Sequence, residues 1–150
     1  MNATRVELPD AAATTRLGAD LARRLADRAG AVVYLEGPLG AGKTTLARGL
    51  LRALGVEGPI RSPTYTLMEP YRVARGGVLH LDLYRLTDPL ELHNLGLSDY
   101  PPASTLWLVE WPQKGDGLLP TCDWRVRLAP QADGRVAEIM TEASVGQNQP

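Results

Sequence analysis

Apolar residues fall into short unbroken runs separated by stretches of alternating or helical spacing, and each kind of spacing predicts a different element. Thr4–Leu8 (T-R-V-E-L) alternates and predicts a short edge strand closed by Pro9. Asp10 is placed to cap a helix through about Ala29, with Leu17, Leu21 and Leu25 on one stripe and Gly30 ending it. Ala31–Glu36 (A-V-V-Y-L-E) is nearly all apolar, which predicts a strand buried on both faces. The glycine-rich stretch Gly37–Gly42 leads into a helix to about Leu54, stopped by Gly55 as a left-handed cap. Pro59–Pro63 reads as a loop. Strands over roughly Thr66–Val73 and Val78–Tyr84 flank Arg75-Gly76-Gly77 and predict a hairpin. Asp88-Pro89-Leu90-Glu91 combines a cap, a proline at the first helical position and a capping-box acid, with Gly96 ending that short helix. Thr105–Glu110 (T-L-W-L-V-E) is another buried strand. Trp124–Leu128 and Arg135–Thr141 predict a final hairpin around Ala132-Asp133-Gly134, and the polar tail Ala143–Pro150 is expected to be disordered. No internal repeat and no linker divides the chain, so one α/β domain over residues 1–142 is expected.

Composition narrows the partners. The 150 residues suit one domain with a real core, and 44% hydrophobic with 22% charged residues is ordinary for a soluble protein. A formal net charge of −1 supplies no global field toward nucleic acid or an acidic membrane, so neither DNA nor membrane is an expected partner. Arg61, Arg72, Arg75 and Arg85 read as scattered, solvated charges. The single cysteine, Cys122, allows neither an intrachain disulfide nor a cysteine-based zinc cluster. No apolar run approaches the ~18 residues of a membrane span, and the start lacks a basic-then-apolar signal, so a cytoplasmic protein is expected. His80 reads as packing on one face of its strand, and His93 has no ligand-type spacing around it.

The chemistry rests on Gly37-Pro38-Leu39-Gly40-Ala41-Gly42-Lys43-Thr44, which fits G-x-x-x-x-G-K-[ST] at every fixed position. A triphosphate must sit against a helix N-terminus, where backbone N–H groups and the helix dipole favour negative charge. Glycines let the backbone wrap the phosphates without Cβ clashes. Lys43 reaches the β- and γ-phosphates, and Thr44 offers a hydroxyl to magnesium. In a chain of this composition the four fixed positions would match by chance with a probability of roughly 0.002. The chain has only two lysines, Lys43 and Lys114, and one of them falls where the motif needs an ammonium. The expected fold is therefore a P-loop NTPase-like three-layer α/β sandwich around a mixed, mostly parallel sheet.

Phosphoryl transfer also needs carboxylates near the metal. Val78-Leu79-His80-Leu81-Asp82 and Leu106-Trp107-Leu108-Val109-Glu110 are apolar strands that end in acids. In a parallel sheet both acids emerge at the carboxyl edge beside the P-loop. Ser62-Pro63-Thr64-Tyr65-Thr66 lies where NTPases often keep a nucleotide-sensing loop, and also reads as an ordinary turn. Trp111 follows Glu110 and reads either as a core plug closing the sheet end or as a residue lining the pocket; the second is expected, because Pro112 turns the chain out of the strand.

Taken in order, G-A-G-K-T-T (Gly40–Thr45), S-P-T-Y-T-L (Ser62–Leu67), E-P-Y (Glu69–Tyr71), D-L-Y-R-L (Asp82–Leu86), D-P-L-E-L (Asp88–Leu92) and L-V-E-W-P-Q (Leu108–Gln113) resemble one family, the bacterial TsaE (YjeE) ATPases. The resemblance runs from about Leu8 to Arg135. It implies that Gly40, Ala41, Gly42, Lys43, Thr44 and Thr45 bind the phosphates of ATP, and that Thr44 and Glu110 ligate Mg2+. It makes Asp82 the second-strand acid, so that Lys43, Asp82 and Glu110 form the catalytic set. It also places Trp111 beside the nucleotide, with Ala11 and Gly134 near its base or ribose. It implies slow ATP hydrolysis by the protein alone, and work in a complex with the TsaD–TsaB pair that modifies tRNA with threonylcarbamoyl-adenosine. The tRNA would be met only through that complex. Pro38 departs from the pattern, since relatives commonly carry an acid there.

Two other functions share these motifs. A small-molecule kinase would use the same P-loop with an arginine-bearing lid, for which Arg61, Arg72 and Arg75 are candidates. A GTP switch would need an N-K-x-D-like segment, and none of Asn2, Asn94 and Asn148 begins one.

Overall fold

Ala31–Glu36 and Thr105–Glu110 are apolar at almost every position because the fold covers them on both sides. In the computed structural model, which describes residues 2–115 and 117–141, these segments are β2 and β5 at the centre of a sheet. The sheet also holds β1 (Asn2–Leu8), β3 (Met68–Val73), β4 (Gly76–Asp82), β6 (Trp124–Gln131) and β7 (Gly134–Thr141). Its order is β1-β7-β6-β2-β5-β4-β3. The central ladders β6–β2, β2–β5 and β5–β4 are parallel, while β3, β7 and β1 join antiparallel. The sheet is the mixed α/β one expected.

Two helices, α1 (Ala11–Leu25) and α2 (Lys43–Leu54), lie together on one face. Val33 and Leu35 of β2 pack with Leu21, Leu46 and Leu50 there, whereas Val32 packs on the opposite face with Leu79, Leu81 and Trp107. That period-two split is what a strand covered on both sides produces. The third layer is thin. It consists of 3-10 turns at Pro89–Asn94, Leu97–Asp99 and Pro112–Gly115, with Leu92 closing over the sheet.

Local signals set most boundaries. The Asp10 carboxylate accepts from the Ala13 N–H at 2.8 Å, and Gly55 ends α2 at φ 107°. Asp88 and Glu91 form a complete capping box. Three expectations are corrected. Helix α1 stops at Leu25 rather than near Ala29, and the Arg75 guanidinium donates to the carbonyls of Leu25, at 2.7 Å, and Arg28. Gly30 is not its cap but a close-approach position: a Cβ there would sit under 3.0 Å from the Pro102 carbonyl. The first hairpin is tighter than expected, since Val73 pairs with Gly76 around Ala74-Arg75, and Leu67 at φ 68° keeps Thr66 out of β3. The tail expectation at Ala143–Pro150 lies outside the described residues.

The helix pair rests on two glycines. A Cβ on Gly18 of α1 would fall under 3.0 Å from the Leu46 carbonyl, and one on Gly49 of α2 under 3.0 Å from the Thr15 carbonyl. The backbones therefore touch directly. Gly18→Ala and Gly49→Ala should each destabilise the protein by about 1–3 kcal/mol in urea unfolding, the cost of overpacking a close contact. Helix propensity alone predicts the opposite sign, by roughly 1 kcal/mol in favour of alanine. A neutral or stabilising result would mean that the two helices separate at little cost.

Candidate functional site

Strand β2 ends at Glu36, and the chain must reverse within Gly37–Gly42 to begin α2 at Lys43. Gly37, Gly40 and Gly42 take φ values of 147°, 78° and 105°, which favour glycine. A Cβ at Gly37 would also meet the Leu128 carbonyl of β6 under 3.0 Å. Helix α2 has no side-chain cap at Gly42, so no capping side chain occupies its first-turn N–H groups, an arrangement that suits an anion. Beside the loop lies a cleft of about 300 Å3.

Parallel pairing brings the acids to this cleft. Asp82 and Glu110 are register partners across β4 and β5, both at the carboxyl ends. Period two sets Asp82 and His80 on the same face as Val78, toward the helices. Glu110 is 2% exposed and held at both oxygens: the Thr44 hydroxyl donates to Oε1 at 3.1 Å, and His80 Nε2 donates to Oε2 at 2.7 Å. His80 is itself 1% exposed, and its Nδ1 has no hydrogen-bond partner among the described residues. The packing role expected of His80 is therefore incomplete, because the ring also fixes the carboxylate beside it. Asp82 accepts from Thr64 Oγ1 at 3.3 Å and from the Tyr84 N–H at 3.0 Å. The Ser62 and Thr64 hydroxyls lie 2.7 Å apart, which ties the 62–66 turn to this acid. Burial pushes the Asp82 carboxyl above the usual range; the Tyr84 N–H opposes that, and nearby Glu110 adds to it.

Lys43 is 5% exposed. Its ammonium donates to the carbonyls of Gly37 and of Pro38, the latter at 3.1 Å, and lies 4.0 Å from the centre of the Trp111 ring. Burial lowers its pKa, while Glu110 and Asp82 act in the other direction. Trp111 holds a left-handed φ of 58°, and its ring meets Tyr84 at 5.0 Å between centroids. The chain leaves the strand there, and Pro112 opens a 3-10 turn.

Of the expected site residues, Gly40, Ala41, Gly42, Lys43, Thr44, Thr45, Asp82, Glu110 and Trp111 line this first cleft. Ala11 and Gly134 line an adjoining cleft, also about 300 Å3, which shares Gly40 and Arg135 with the first. A Cβ on Gly134 would fall under 3.0 Å from the Leu8 carbonyl, so the hairpin and the start of α1 approach closely there. Sequence reasoning missed Tyr84, Arg135 and the bond from His80. Two-residue spacing from Asp82 was a usable signal for His80, whereas Arg135 arrives only through the strand order. The arginines considered for a kinase lid lie elsewhere: none of Arg61, Arg72 and Arg75 lines either cleft. His93 is exposed.

Among the described residues, no group of three His, Cys, Asp or Glu side chains is arranged to hold a metal. The cleft instead offers the Thr44 hydroxyl beside two carboxylates, Asp82 and Glu110, hard oxygens of the kind that hold Mg2+ when phosphates complete the shell. The donor set fits that ion.

A profile of the family described as "Threonylcarbamoyl adenosine biosynthesis protein TsaE" matches residues 8–137. The chain belongs to the TsaE family. It is 42% identical over 144 residues to the tRNA threonylcarbamoyladenosine biosynthesis protein TsaE of Haemophilus influenzae, covering 94% of this chain and 91% of that one. A Synechocystis protein of the same name is 42% identical over 120 residues, covering 76% and 74%. The crystal structure of Bacillus subtilis YdiB superposes with a TM-score of 0.71 at 26% identity, over 93% of this chain and 86% of that one. Among the described residues of this TsaE chain, no helix is long and apolar enough to cross a membrane.

His80→Leu should destabilise the fold by about 1–3 kcal/mol, since it leaves a buried carboxylate oxygen without its donor. His80→Gln, which keeps an N–H at similar reach, should recover most of that loss in the same denaturation experiment. Equal stabilities for the two variants would reduce His80 to a space-filling residue.

Proposed function

We propose that this protein is a P-loop ATPase that binds Mg-ATP in the first cleft and hydrolyses it slowly by itself. It would support threonylcarbamoyl-adenosine modification of tRNA in the cytoplasm, as part of a complex with a TsaD–TsaB-like pair. What carries the reading is the meeting of Gly40–Thr45 with Asp82 and Glu110 in one cleft. The pathway and the partners come from the TsaE family and from the names of its members.

The residues divide the work. The loop N–H groups and the start of α2 receive the phosphates. Lys43 turns its ammonium from the Gly37 and Pro38 carbonyls to phosphate oxygens, and its burial keeps that charge unscreened. Thr44 and Glu110 would hold a Mg2+ ion, which would supply positive charge to offset that of the phosphates. His80 keeps Glu110 aimed. Asp82, steadied by Thr64 and the Tyr84 N–H, orients the attacking water and accepts its proton at a carboxylate oxygen. The Thr64 contact gives the 62–66 turn a means to sense what occupies the cleft. A kinase reading draws no support from this arrangement, since none of the three candidate lid arginines lines either cleft.

Lys43→Ala should abolish ATP binding in calorimetry. In the parent, ATP or ADP should change the intrinsic fluorescence, and Trp111→Phe should remove most of that change, because this indole stacks on the Lys43 ammonium. Parental affinity in the Lys43 variant would sink the phosphate-loop assignment.

Asp82→Asn and Glu110→Gln should fold normally yet lose hydrolysis by roughly a hundredfold or more, since each replaces a charge aimed at the reacting centre with a neutral amide. Phosphate release from the complex reconstituted with a TsaD–TsaB pair and tRNA is the measurement. Full activity in both variants would leave the acids as strand-end residues only.

A further inference from the structure

The first strand-end residues of β7 occupy a place that the reading above does not use. Arg135 is fixed at its backbone from both sides, paired with Leu8 on β1 and Pro130 on β6. Ala137 and Ile139, two and four residues on, pack beneath the helices, so Arg135 faces the same side at the P-loop end. Its side chain runs across the loop: a Cβ on Gly42 would lie 3.1 Å from Nη1 and 3.3 Å from Cζ. Arg135 is half-buried and lines both clefts, as Gly40 does.

Among the described residues, its lack of a side-chain partner separates it from several other cations. Lys43 is held by two carbonyls, Arg75 by two others, and Arg125 and Arg127 by Glu36. Among the described residues, Arg135 makes no side-chain hydrogen bond, ion pair or ring contact. A guanidinium partly withdrawn from water beside an anion-receiving loop, with its donors unmatched, suits phosphate oxygens, which it can take in pairs.

We infer that Arg135 is a binding residue for the nucleotide's phosphate chain, a cation supplied by the last hairpin to the border between the two clefts. The inference rests on the nucleotide reading of the P-loop. Its position where the clefts join assigns it to the phosphates nearest the nucleoside, which ATP and ADP share.

Calorimetric titration of ATP, ADP and inorganic tripolyphosphate into the parent, Arg135→Met, Arg135→Lys and Lys43→Ala tests it. Arg135→Met should keep the parental melting temperature to within a few degrees, since no side-chain bond is lost, and should weaken all three ligands roughly tenfold or more. Arg135→Lys should restore part of the loss, a point charge replacing a fork. If the methionine variant melts early, the lysine variant carries the comparison by falling measurably below the parent for ADP. Parental affinity for ADP and tripolyphosphate in Arg135→Met, with both lost in Lys43→Ala, would overturn the inference and leave the P-loop reading intact. A loss confined to ATP and ADP, sparing tripolyphosphate, would place Arg135 on the nucleoside and overturn it too. Parental affinity in the Lys43 variant as well would remove the nucleotide reading itself.

Discussion

Lys43, Asp82 and Glu110 are each no more than 5% exposed, and keeping three ionisable groups so dry is the constraint around which the molecule is arranged. A charge taken out of water must find hydrogen bonds or opposite charge, or it changes protonation state. The fold answers with an assigned partner for nearly every polar atom: loop carbonyls for the ammonium, Thr64 and the Tyr84 N–H for Asp82, Thr44 and His80 for Glu110. Burial still lowers the pKa of Lys43 and raises that of Asp82, so desolvation outweighs these partners at both groups.

Such matching demands precise backbone placement. Parallel pairing puts Asp82 level with Glu110, and β2 between β5 and β6 sets the loop directly beside them. The helices then hold the loop from one side, in contact through Gly18 and Gly49 with no side chain between their backbones. A helix pair spaced by larger residues would carry α2, and with it Lys43 and Thr44, away from acids fixed in the sheet. Close packing thus serves the chemistry through geometry.

Much of this was legible in the sequence, and the division has a physical cause. Ala31–Glu36 and Thr105–Glu110 were read to the residue because burial on both faces leaves an unbroken apolar run. The P-loop, the Gly55 cap and the Asp88–Glu91 box were legible because each depends on residues within a few positions. What escaped depends on distant ones. Helix α1 ends where a guanidinium fifty residues later meets its carbonyls. His80 looked apolar in role because its acceptor sits on the next strand, thirty residues on. Arg135 sits beside Gly42 because β7 is two strands from β2 in the sheet, an order no local pattern encodes.

That strand order also bears on how the protein is made. Strands β2, β5, β4 and β3 and both helices are complete once Glu110 has been synthesised, while β6 and β7 follow, and β1, made first, pairs only with β7. On the ribosome, β1 must therefore wait as an unpaired strand through almost the whole of elongation, with the other flank of β2 open until β6 arrives. Contacts as distant in sequence as Leu8 with Arg135 are slow to close. The Arg135 side of the wall between the two clefts is the last part of the site to be made, so a nascent chain has its phosphate loop well before it has a finished pocket.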